Sequence, residues 1–103
     1  IKVPNVYAFG DVEIDFARFK IRRKGKESNL TSLECEILKY FIAHNGEVVS
    51  RDLLLDKIWG YERFPTTRTI DNHILKLRKK IEEDPSHPRH ILSFYGEGYR
   101  FMS

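Results

Sequence analysis

Apolar and polar positions alternate early in the chain: within Tyr7 to Leu30, Val12, Ile14 and Phe16 lie two apart, and so do Phe19 and Ile21. Gly10-Asp11, the stretch around Ala17-Arg18, and Lys24-Gly25-Lys26 interrupt the pattern. Because successive strand residues face opposite sides, this predicts three or four short antiparallel strands. The period then lengthens to that of a helix. Thr31 and Glu34 form a Thr-x-x-Glu capping box, with Leu30 and Cys35 at the staple positions, so a helix starts at Ser32. Its apolar stripe of Leu38, Phe41 and Ile42 runs to Asn45-Gly46, a left-handed stop. Val48-Val49 reads as an extended link, Ser50 caps a second helix over Arg51 to Ile58, and Gly60 ends it.

The clearest periodicity belongs to a third helix, residues 67–83. At a helical turn of about 100° per residue, Ile70, Ile74, Leu77 and Ile81 fall within about 60° of one another and form a core face. Arg68, Asn72, Leu75 and Lys79 lie opposite, flanked by Lys76 on one side and by Asp71 and Arg78 on the other. That outer face is basic and amide-bearing, with one leucine. Glu82, Glu83 and Asp84 follow, unfavourable beside a helix C-terminus and repelled by a polyanion, so this end is expected to point away from such a partner. After Pro85 and Pro88, His90 to Tyr95 and Tyr99 to Phe101 read as strands joined by Gly96-Glu97-Gly98, a hairpin.

Charge sharpens the picture. The 18 basic and 15 acidic residues are segregated. Five cations and no acid lie between Lys20 and Lys26, and six cations with one acid, Asp71, lie between Arg63 and Lys80. Such segregation suits a polyanion on one face, although basic residues also coat solvated faces, and the first block can guard sheet edges. With 103 residues, 41% of them hydrophobic, the chain is expected to be one domain, residues 1–103, around a modest core. No run approaches the roughly 20 apolar residues of a membrane span and no signal segment opens the chain, so a soluble, cytoplasmic protein is expected.

Strands, three helices and a terminal hairpin describe an α+β winged helix-turn-helix with an N-terminal antiparallel sheet. A B-DNA major groove of about 12 Å accepts one helix, whose exposed side chains meet base edges and phosphates. The sequence offers no enzyme signature: no glycine-rich phosphate loop and no metal constellation, so neither cofactor nor metal is expected. His87 and His90 are a lone pair without further ligands, His44 and His73 read as surface residues, and Cys35 has no base placed beside it. A winged helix used for protein contact would need a flatter, more apolar outer face.

The stretches "LTSLECEILKYFIAHNGEVVSRDLLLDKIWG", "RTIDNHILKLRKKIEEDP" and "GEGYRF" stand in an order and spacing that resemble the OmpR/PhoB family of response-regulator effector domains over almost the whole chain. The resemblance implies a winged helix that binds double-stranded promoter DNA under control of a phosphorylated receiver. Because the chain opens at Ile1 with a turn-like Val3-Pro4-Asn5, residues 1–5 are expected to be a linker remnant behind that receiver. By motif position, Arg68, Asp71, Asn72, Leu75 and Lys76 align with groove-facing residues, and Arg68, His73, Arg78 and Trp59 with residues near phosphates. Thr69 and Lys79 join the same contact set, and Ser93, Tyr95 and Arg100 belong to a wing spanning 90–101. The loop carrying Tyr61, Glu62, Arg63 and Phe64 is where the family contacts RNA polymerase, and family members sit as tandem copies on DNA, the isolated domain being monomeric.

Two positions depart from well-known members. Leu75 stands where they carry arginine, which implies a different base preference, and Tyr95 stands where some put an arginine into the minor groove. Plainer readings remain open at this level: Trp59 packs in the core, Phe64 folds its loop back, and Leu75 is merely tolerated at the surface instead of meeting a thymine methyl group.

Overall fold

The computed structural model describes residues 5–59 and 66–103. Strands β1 (Val6–Phe9), β2 (Val12–Asp15), β3 (Lys20–Arg23) and β4 (Lys26–Asn29) form an antiparallel sheet in that order. Val12, Ile14 and Ile21 point into the core, while Glu13, Arg22 and Glu27 stand in register across the outer face. Lys24 and Gly25, the two-residue turn between β3 and β4, both have positive φ, 50° and 79°, as a tight hairpin between right-twisted strands requires. Phe19 departs from the expected alternation. It sits in a turn at φ 56°, 45% exposed, because the chain reverses there instead of continuing a strand.

Helix α1 (Ser32–Ala43) begins as expected, with the Thr31 hydroxyl accepting from the Glu34 N–H and the Glu34 carboxylate accepting from the Thr31 N–H. Its buried stripe is Ile37, Leu38 and Phe41, and Ile42 is only partly covered. Gly46 supplies the left-handed residue at φ 86°. Asn45 does not share that role: its amide exchanges hydrogen bonds with Ser103. Val48–Val49, expected as a link, is strand β5, because Gly46 N–H bonds Phe101 O and carries the chain along the C-terminal hairpin. Helix α2 (Arg51–Leu54) follows its Ser50 cap but is shorter than expected. Over Leu55–Trp59 the backbone widens into a π-helical turn that leaves Leu55 and Ile58 against the core.

Helix α3 (Thr67–Ile81) presents Ile70, Ile74, Leu77 and Ile81 to the core, all fully buried. Strands β6 (Ile91–Phe94) and β7 (Gly98–Phe101) form the hairpin, and the second sheet runs β5-β7-β6. Phe101 joins the layers: its ring stacks on Phe41 of α1 at 6.1 Å and meets Phe9 of β1 edge-on at 5.1 Å.

The expected extent of the third helix, 67–83, is corrected at its C-terminus. The helix ends at Ile81 because Glu82 turns to extended backbone, φ −84° and ψ 141°. Its carboxylate, 2% exposed, folds inward and accepts from the N–H groups of Arg89 at 2.8 Å, His90 at 3.0 Å and Ile91 at 2.9 Å. Glu82 is therefore not an exposed acid beside a helix terminus. It satisfies three backbone donors where the chain enters β6, a service a buried N–H needs from some acceptor.

Candidate nucleic-acid interface

Helix α3 is packed along three sides, and each side has a different chemistry. The apolar stripe faces the core. A second stripe, Asp71 and Arg78, lies seven residues apart, close to two whole helical turns, and faces the C-terminal hairpin, which Glu82, just past the helix end, also meets. Arg78 lays its guanidinium along β6: Nε and Nη2 donate to Ile91 O at 3.1 and 2.8 Å, and Nη2 donates to Ser93 Oγ at 2.8 Å. Together Arg78 and Glu82 occupy both the carbonyl and the N–H of Ile91, at the start of the edge strand β6, so that residue has no free backbone group on its outer side.

The third packed side carries Thr69, His73 and Lys80 toward α1 and β4. His73 Nδ1 lies 2.8 Å from Thr69 O, so its proton is on Nδ1. Lys80 Nζ donates to Asn29 O at 2.7 Å and to Glu34 Oε1 at 2.8 Å. Burial pushes the Glu34 carboxyl upward, but the Lys80 ammonium and the Thr31 N–H outweigh it and hold the group below the ordinary carboxylate range. Since the folded-state value is depressed, this stabilisation is present above the unfolded value and is lost as pH falls through the folded one. Lys80→Met is expected to destabilise the domain by about 3 kcal/mol at neutral pH, because it strands a buried carboxylate. That deficit should shrink on acidification as Glu34 becomes protonated. Urea titrations at pH 7 and pH 3 check this, and an equal deficit at both would contradict it.

What remains outward is a crest of Arg68, Asn72, Leu75, Lys76 and Lys79, all exposed, with Leu75 at 55%. These five are the sequence-predicted contact residues that the fold brings together on one open surface. Asp71 and Arg78, predicted beside them, are half-buried and already bonded: Asp71 Oδ2 accepts from Arg51 Nη1 at 2.9 Å, and Oδ1 accepts from the Tyr99 hydroxyl at 2.6 Å. Burial and the Asp71 carboxylate push the Tyr99 phenol up to about 12, so it stays a donor. Ser93 lies beside Arg78, and Tyr95, fully exposed, stands at the hairpin turn. Arg100 is elsewhere. It alternates with Tyr99 along β7, faces away from α3, and covers the Phe94 ring at 4.7 Å. Trp59 closes the π-helical turn. Tyr61, Glu62, Arg63 and Phe64 lie outside the described residues.

A cleft of about 370 Å³ lies between Arg51 and Asp71 and the hairpin turn, where Phe94, Tyr95, Gly96 and Gly98 line it. Its depth depends on Gly98. A Cβ there would lie 2.1 Å from Val49 O, so only glycine lets β7 start this close to β5 and the N-terminus of α2. Arg51 and Tyr99 escape a reading of the sequence. Arg51 is simply the first residue after a helix cap, and Tyr99 reads as one apolar position of a strand.

A short helix, a longer helix with a basic outward crest, and a hairpin fastened to that helix's flank define a winged helix-turn-helix. Residues 25–101 match the family model described as "Transcriptional regulatory protein, C terminal", and the chain belongs to this family, within the OmpR/PhoB group. The OmpR/PhoB homolog DrrB, a response regulator of Thermotoga maritima, is 38% identical with a TM-score of 0.83, over 96% of this chain and 45% of that one. The present chain thus spans less than half the length of that regulator. The DNA-binding domain of Bacillus subtilis CssR is 37% identical over 81% of this chain and 90% of that one, with a TM-score of 0.68. The DNA-binding domain of Klebsiella pneumoniae RstA, solved in complex with the RstA box, is 26% identical over 96% of this chain and 98% of that one, with a TM-score of 0.78.

Proposed function

We propose that this chain binds double-stranded promoter DNA sequence-specifically as the effector domain of a two-component transcriptional regulator. Helix α3 enters the major groove, and the 90–101 wing lies over the adjacent backbone or minor groove. The observation that carries this reading is the crest itself. A helix whose other sides are all packed leaves outward an amide, a leucine and three cations, the side-chain set that meets adenine edges, thymine methyls and phosphates. Membership of the family and the RstA complex with its box support it.

Within this reading the crest divides by chemistry. Asn72 can bridge N6 and N7 of an adenine, and Leu75 can cover a thymine methyl group, so these two read sequence. Lys76 and Lys79 meet phosphates and hold register, with Arg68, His73 and Arg78 near the backbone. Asn72→Ala is therefore expected to lose about 1–3 kcal/mol on the preferred site only, whereas Lys79→Ala weakens all duplexes alike. Anisotropy titrations on the selected site and on random duplex check both, and equal losses for Asn72→Ala on the two DNAs would remove it from the readout set.

The protein is cytoplasmic on this reading, a receiver domain in a longer chain controls it, and RNA polymerase is engaged through the segment 61–64. Tandem copies occupy paired half-sites. The isolated domain is a monomer, which sedimentation without DNA checks: a stable dimer would contradict it.

A further inference from the structure

Asp71 lies where three elements meet. It belongs to α3, its Oδ2 holds Arg51 of α2 at 2.9 Å, and its Oδ1 holds the hydroxyl of Tyr99, on β7, at 2.6 Å. The Tyr99 ring is 8% exposed and lies 5.7 Å from the Arg78 guanidinium, which itself bonds Ile91 O and Ser93 Oγ on β6. Both strands of the wing are thereby indexed to one helix, β7 through Asp71 and β6 through Arg78. Gly98 closes the third side, since the start of β7 touches the backbone of Val49 and Ser50 with no room for a Cβ.

A carboxylate that reads DNA accepts from a cytosine N4 amine and must offer its lone pairs outward. Both Asp71 oxygens are instead directed at donors of the protein, one of them a cation. From this arrangement we infer that Asp71 is a positioning residue and not a base reader: it fixes the distance and angle between the α3 crest and the wing turn, so that a single duplex site meets both at once. The inference rests on the DNA-binding reading above. It assigns the wing contact a rigid spacing, set by the Arg51–Asp71–Tyr99 link, and takes Asp71 out of the set that chooses bases.

The test compares the 103-residue chain with Asp71→Asn, Tyr99→Phe and the double variant. Both replacements keep side-chain volume. An asparagine offers one acceptor oxygen where two donors converge, and a phenylalanine offers no donor at all. Three sets of duplexes are titrated: the selected site, every single base-pair substitution beneath α3, and the selected site truncated at the wing flank. Truncation should weaken wild type by about tenfold, the worth of one or two good contacts. Each single variant should bind the intact site at the truncated level and lose nothing more on truncation. Each should also keep the wild-type order of preference across the base-pair substitutions. The double variant should be no weaker than either single one, because one link is being cut twice.

If Asp71→Asn changes preference at one base pair while Tyr99→Phe does not, Asp71 reads a base and the inference is overturned. Additive losses in the double variant overturn it as well. A wild type that binds no duplex overturns the DNA-binding reading, and one that binds every duplex alike overturns its sequence specificity; either result is distinguishable because it appears before any variant is measured.

Discussion

Glu82→Ala is expected to be among the most damaging substitutions away from the apolar core. It removes a carboxylate that is 2% exposed and leaves the N–H groups of Arg89, His90 and Ile91 without their acceptor. Only the Ile91 bond is fully buried, those of Arg89 and His90 being part-buried. An orphaned buried donor costs about 1–3 kcal/mol, the part-buried ones less, and relief of an acid near the C-terminus of α3 returns less than about 1 kcal/mol, so a net loss of about 3 kcal/mol follows. For a domain of this size that lowers Tm by roughly 12–20 °C. Glu82→Gln should fall between, keeping one acceptor oxygen and turning an amide N–H toward a donor. Thermal melts followed by circular dichroism decide it, and an unchanged Tm for Glu82→Ala would show that solvent satisfies those three groups. The consequence for binding is specific, since the same bonds set where β6 begins and hence where the wing stands.

The second large effect is on affinity and comes from salt. Of the cations on α3, Lys80 is bound by Glu34, while Arg68, Lys76 and Lys79 are exposed and Arg78 keeps part of its guanidinium outward beside Ser93. Four phosphate contacts give a log–log slope of roughly −3.6, so raising salt from about 50 to 200 mM should weaken binding about a hundredfold. Lys79→Ala should flatten the slope by about one contact, roughly 0.9. A slope near zero would mean that the crest does not meet a phosphate backbone.

How far each feature could be read from sequence follows from the range of the interactions involved. The core stripe of α3 is legible because four apolar residues recur at helical spacing, and the cap of α1 because Thr31 and Glu34 lie three apart and act on each other. The crest is legible for the same reason, being the complement of a clear stripe. β5 is two residues long and carries no period of its own. It becomes a strand only because β7 is there to pair with it. Glu82 misleads because its partners are backbone groups seven to nine residues ahead, brought to it by the loop through Pro85 and Pro88. The bonds of Asp71 are hidden for the same reason: by spacing it stands beside Asn72 and Leu75, while its partners lie 20 residues back at Arg51 and 28 ahead at Tyr99. Charged side chains that are consumed by distant partners look, in sequence, like charges available to a ligand.

That the crest of α3 reads duplex DNA is tested most directly by mapping the bound surface in solution. Backbone and side-chain NMR shifts of the chain would be followed as a duplex carrying the selected site is added, with a random duplex in parallel. The predicted result is that Arg68, Asn72, Leu75, Lys76 and Lys79 shift most, that Ser93 and Tyr95 of the wing move with them, and that Asn72 and Leu75 distinguish the selected site from the random one. Shifts centred on the four-stranded sheet, with the crest unmoved, would contradict it.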